Sequence, residues 1–166
     1  MNALYQNSCF YITAMQLLDS IYDYIDPYGN DFLSRTEYLE LHESVLTTIL
    51  SRKTFQASEL KKFQAMHAWA RNQVQTKWEE KQKLHRQQSS ELQEKIVEHE
   101  QPMELVQNAD EAESEYRNLM IRLNKVVNIK LDKISSEDLV KVVLPTKVFS
   151  NDKIFEVMAD ESRNDF

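Results

Sequence analysis

Four histidines, one cysteine and adjacent acid pairs such as Glu79-Glu80 and Asp110-Glu111 are the residues in this 166-residue sequence whose types could do chemistry. His42-Glu43 begins like a zinc-protease helix, but Leu46 stands where the second histidine would have to share the helix face. His85 and His99 lie 14 apart, with no cysteine at finger spacing. His67 falls inside the Phe63–Trp69 stretch and reads as a helix-face or core-edge histidine. Glu79-Glu80 and Asp110-Glu111 sit in polar surroundings, where nothing would raise a carboxyl pKa into a catalytic range. No Ser/His/Asp set emerges from spacing. Gly29, the single glycine, excludes phosphate loops, dinucleotide fingerprints and nucleophile elbows, each of which needs several glycines. The expectation is a non-enzyme with no cofactor and no metal.

The remaining composition narrows the setting. Cys9 has no partner for an internal disulfide and reads as a small hydrophobe. No signal peptide, membrane-length apolar run or glycosylation sequon is visible, so a cytoplasmic location without membrane contact is expected. The net charge of −7 is concentrated: residues 91–115 hold nine acids and only Lys95, which leaves +1 for the rest of the chain. A nearly neutral remainder argues against nucleic acid as a partner, since phosphate needs a basic face.

What would position these side chains is a set of helices. One glycine, with turns left to Asn, Asp, Ser and Pro, disfavours a β-rich fold. Leu18, Ile21, Tyr22 and Ile25 recur at helical spacing, ahead of the breaker Asp26-Pro27-Tyr28-Gly29-Asn30. A short helix is expected over about Asp31 to Leu39. Leu41, Val45, Leu46, Ile49 and Leu50 mark another, with Glu43, Arg52 and Lys53 suited to its dipole. A long helix starts after Ser58, with Leu60, Phe63, Met66 and Ala70 on one side and Trp69 and Val74 flanking. Residues 77–117 read as an acidic polar insertion, partly helical and partly disordered, interrupted at Pro102. Leu119, Met120, Leu123, Val126 and Val127 form the next stripe, after Tyr116. Ser135 with Asp138 reads as a capped helix start, and Leu139, Val142 and Val143 face inward before Pro145. Ser150 opens a last helix carrying Ile154, Phe155, Val157 and Met158, and residues 160–166 are a fraying tail.

Several of these stretches, in order, resemble the BACK domain, the helical region that follows BTB/POZ domains. Glu43–Phe55 resembles its helix-plus-turn. Glu59, Leu60, Phe63, Ala65, Met66 and Trp69 match its spacing of Glu, apolar, Phe, Ala, apolar and Trp. Ile129–Ser135, Val142–Thr146 and Phe149-Ser150 resemble its closing helices, and Asn7-Ser8-Cys9 and Tyr24-Ile25-Asp26 its opening ones. Lys147 stands where the family has glycine. The resemblance implies an all-α bundle of antiparallel helices, built from residues 5–76 and 118–159 around the insertion. It also implies a non-catalytic linker in an adaptor for a cullin-based ubiquitin ligase. Protein partners follow, a cullin scaffold among them, although no stretch resembles the BTB domain itself. Tyr11, Leu17, Ile21 and Tyr22, on the first helices, are the expected contacts with the scaffold. The alternative reading is a standalone assembly protein that oligomerises, or binds a basic partner, through 77–117. Oligomeric state stays open.

Overall fold

The structure is a computed structural model. It describes residues 15–92 and 103–164, with side chains except those of 85, 87–92, 103–109 and 161–164. Tyr11, Cys9, Pro102 and His99 therefore lie outside the described residues, as does the side chain of His85.

The described residues are helical and contain no strand. Helix α1 covers 15–25, α2 is Glu43–Ser51, α3 is Glu59–Leu92 and α4 is Met103–Val127. Element α5 runs Ser136–Asp138, widens to a π turn over Leu139–Val143, and closes as a 3-10 turn at Leu144–Thr146. Helix α6 is Asn151–Asn164. The backbone is thus helical through most of the stretch expected to fray.

Local chemistry explains the boundaries. The Ser58 hydroxyl accepts from Lys61 N–H at 3.2 Å and starts α3. Ser135 accepts from Asp138 N–H at 3.2 Å and donates to its carboxylate at 2.6 Å, the cap that the sequence predicts. Asn128 ends α4 at φ 55°, with its N–H bonded to Asn124 O. Lys147 ends α5 at φ 54°. Left-handed backbone costs an L-residue roughly 1–2 kcal/mol, which accounts for glycine in the resembling family. Lys147→Gly is expected to raise stability by about 1 kcal/mol, read as a higher urea midpoint at unchanged slope.

The core is one cluster around α3 and α4, which pack antiparallel. Phe63, Met66 and Ala70 of α3 meet Tyr116, Met120 and Leu123 of α4, all fully buried. Leu46, Ile49 and Leu50 close the cluster from α2, and Leu139, Val143 and Ile154 from the far end. Trp69, buried as expected of a core aromatic, donates its indole N–H to Leu41 O at 2.8 Å, and Gln73 reaches Leu39 O at 3.1 Å. These bonds tie the short 37–41 segment onto α3.

Three local expectations are corrected. The breaker at 26–30 is itself helical, a 3-10 turn at Asp26–Tyr28 followed by α-helix at Gly29–Phe32. Proline at the second position of a first turn has no intrahelical N–H to lose. The single helix expected from Asp31 to Leu39 is two pieces, Gly29–Phe32 and a 3-10 turn at Glu37–Glu40. Ser34 lies between them and bonds back to Asn30 O. Val126 is 56% exposed, because the inward face follows 116, 120, 123 and 127 and turns it outward.

Candidate interaction surface

Helix α1 has two apolar faces. Tyr22 and Ile25 face inward, packed against the core cluster. Leu17, Ile21 and Tyr24 follow i, i+4, i+7 on the outside, with Tyr28 of the following 3-10 turn beside Tyr24 at 6.2 Å between ring centroids, and the four are 63, 46, 74 and 57% exposed. Met15 and Leu18, at 61 and 44%, widen the stripe. Scattered apolar residues on a surface are ordinary, whereas a contiguous run on one helix marks a contact face. Tyr24, Ile25, Tyr28 and Phe32 line a cavity of about 320 Å³ at its end, with Asp31 and Arg35 on the rim.

Of the four predicted contacts, Leu17 and Ile21 lie together on the open stripe. Tyr22 does not: it is half-buried, with the Arg52 guanidinium 4.7 Å from its ring centroid. Tyr11 lies outside the described residues. Tyr24 and Tyr28, outside the predicted set, are exposed beside them. The helical face that spacing suggests, Leu18-Ile21-Tyr22-Ile25, is split, with Leu18 and Ile21 outward and Tyr22 and Ile25 against the core.

A buried carboxylate fastens α1 to the domain. Asp26 is 5% exposed and accepts from Arg52 Nε at 3.1 Å and Nη2 at 2.9 Å, and from the Thr54 hydroxyl. Its backbone carbonyl accepts from Gln56 N–H at 2.8 Å. Arg52 also lies 3.5 Å from Asp23. The Arg52 hydrogen bonds hold the Asp26 carboxyl below the usual carboxylate range, against the opposing effect of burial. Because the folded pKa is depressed, the stability it contributes is fully present above the unfolded value of about 3.9. That stability is lost as pH falls through the folded value. Thermal melts of the native chain and Asp26→Asn should therefore differ most above about pH 4 and converge only as pH falls through the lower folded value of Asp26.

The other titratable side chains do structural work. His67 packs edge-on to Tyr116, with ring centroids 5.5 Å apart, and burial lowers its pKa. Burial pushes the Tyr116 phenol up to about 12, with Arg71 stacked 3.9 Å over its ring. His42 caps α2, accepting from Ser44 N–H at 3.3 Å. Glu43 and Arg52, which the sequence assigns to the helix dipole, form longer-range pairs. Glu43 holds Arg122 of α4, its Oε1 2.7 Å from Arg122 Nε, and Arg52 holds Asp26. Among the described residues, no group of three or more His, Cys, Asp or Glu is placed to hold a metal. No helix there is long and apolar enough to cross a membrane.

Three acids of 91–115 whose side chains are described, Glu111, Glu113 and Glu115, meet bases on α3. Arg71 meets Glu113 at 2.9 Å, Lys81 meets Glu111 at 3.6 Å, and Lys77 meets Glu115. Exposed pairs of this kind are worth about 0–1 kcal/mol each. They hold three carboxylates of the acidic segment against α3.

A helical domain with a capped, fully packed core and an open apolar helix face is an interaction module by class. The family model described as BACK, BTB And C-terminal Kelch, matches residues 4–95, more than half of the chain, and the chain belongs to that family. The resemblance read over 118–159 lies beyond the matched span. No curated protein and no solved structure matches the chain.

Proposed function

We propose that this chain is a non-catalytic interaction and linker domain of the BTB-adaptor type, contributing the BACK part of a cullin-based ubiquitin ligase. On this reading it works in the cytoplasm, and α1 is the face that meets the scaffold. The observation that carries the proposal is the Leu17-Ile21-Tyr24-Tyr28 stripe, open on a helix whose opposite face is already packed. Membership of a family named for its association with BTB supports the partner class. Acids Asp19, Asp23 and Asp31 flank the stripe, and 15–31 holds no Lys or Arg, so the matching surface should be apolar with basic edges.

The test is capture of a purified cullin scaffold by the full chain, with and without a BTB domain joined upstream. Capture is expected, and Leu17→Glu with Tyr24→Glu should weaken it more than tenfold, as loss of central apolar contacts does. Both sites are exposed, so the melting temperature should hold. No capture even with the BTB domain in place sinks the adaptor reading.

A further inference from the structure

The loop that fastens α1 also carries a hydroxyl in an unusual sequence setting. Thr54 is the one Ser or Thr in the chain that directly follows two basic residues, Arg52 and Lys53. It is exposed and sits in the non-helical 52–58 connection between α2 and α3. Asp23, Asp26, Pro27, Lys53 and Gln56 line an open cleft of about 440 Å³ around it. Its hydroxyl donates to the buried Asp26 carboxylate, which depends on Arg52 for its charge partner.

We infer that Thr54 is a phosphorylation site for a base-directed protein kinase, and that the phosphate releases α1. The regulatory half of this inference rests on the reading of α1 as the contact face. Kinases select substrates partly by charge around the acceptor, and an irregular exposed segment can enter a kinase cleft. The Thr54 Oγ1 attacks the γ-phosphorus of ATP, and a new P–O bond forms as the bond to the β-phosphate oxygen breaks. ADP leaves, and the hydroxyl proton passes to the kinase base.

The product carries about −1.5 to −2 charges where a neutral donor stood. Asp26 loses that donor and gains a like-charged neighbour. Arg52 lies within reach of both groups, and a guanidinium fork pairs with phosphate as readily as with carboxylate. Moving Arg52 to the phosphate leaves a buried carboxylate without its partner, a strongly unfavourable arrangement. The other ties here, the Gln56 N–H bond to Asp26 O and the contacts of Arg52 with Asp23 and Tyr22, belong to the same clasp and loosen as Arg52 turns to the phosphate.

The full chain is incubated with ATP and a panel of base-directed kinase catalytic domains, with a peptide of residues 48–60 alongside. Intact mass and site mapping follow, then hydrogen exchange over 15–25. Expected are one phosphoryl group at Thr54, none on Thr54→Val, and exchange over 15–25 faster by roughly tenfold or more. Thr54→Asp should move exchange in the same direction. Modification of the peptide but not of the folded chain, or of neither, overturns the site. A phosphorylated chain with unchanged or slower exchange, as when Lys53 and Arg52 clamp the phosphate in place, overturns the release. All readouts use the chain without a scaffold, so they stand or fall apart from cullin capture.

Discussion

Phe63→Ala is expected to cost about 3–5 kcal/mol, the range for truncating a fully buried Phe. Phe63 has no exposed surface and lies at the start of α3, its ring centroid 6.2 Å from that of Phe149 in the α5–α6 connection. Removing the ring takes contacts from both ends of the chain's core at once. A stable domain holds only about 5–15 kcal/mol in total, so the variant should sit near the edge of folding. At this chain length the loss corresponds to a fall in melting temperature of roughly 10 °C. Calorimetry checks it, and a drop of only a degree or two would show that the Phe63 site collapses around the missing ring. Met66→Leu at a neighbouring buried position keeps volume and should cost under about 1.5 kcal/mol, which makes it the matched control.

Gly29→Ala should destabilise by about 1–3 kcal/mol, the usual cost of forcing extra atoms into a filled space. The reason is not backbone freedom, because Gly29 has φ −53° and sits in helical conformation. A Cβ there would lie 2.7 Å from Gln56 O and 3.1 Å from Ala57 N. Those are backbone atoms of the loop that clasps Asp26, and they cannot rotate aside as a side chain would. The 29–32 turn and the 54–57 loop must separate, and the Asp26–Gln56 bond goes with them. Urea unfolding measures the stability, and hydrogen exchange should show faster opening over 15–25. An unchanged midpoint would mean that the loop shifts freely and that the close approach is incidental. In solvent, by contrast, Gly→Ala in a helix is worth about 1 kcal/mol in the stabilising direction, so the sign itself is diagnostic.

Gly29 shows how the sequence misleads as well as informs. Its place in Asp26-Pro27-Tyr28-Gly29-Asn30 predicts a helix breaker, whereas the structure keeps it helical and uses its missing Cβ to bring two segments together. Val126 shows the same limit on α4. Its residue type fits the stripe, but helical phase is settled by which of two adjacent valines the neighbouring helices leave room for. On α1 the composition offers apolar residues on nearly every side. The face that stays open is fixed by Arg52 covering Tyr22, a contact across 30 residues. Glu43 and Arg52 were assignable to local dipoles, yet their strongest partners lie 79 and 26 residues away.

The sequence by itself determined the helical class, the start of α3 after Ser58, the Ser135 cap, the buried face of α3 and the family. These rest on periodicity and on hydrogen bonds spanning three or four residues, where the chain is its own context. The pairing of the acidic segment with α3, the role of Gly29 and the open face of α1 were decided only by the tertiary structure. Each is a meeting of segments distant in sequence, and spacing along one helix carries no information about what will pack against it. The residues on the proposed contact face were all visible as apolar side chains. Which of them would be left uncovered depended on Asp26 finding Arg52 and Thr54.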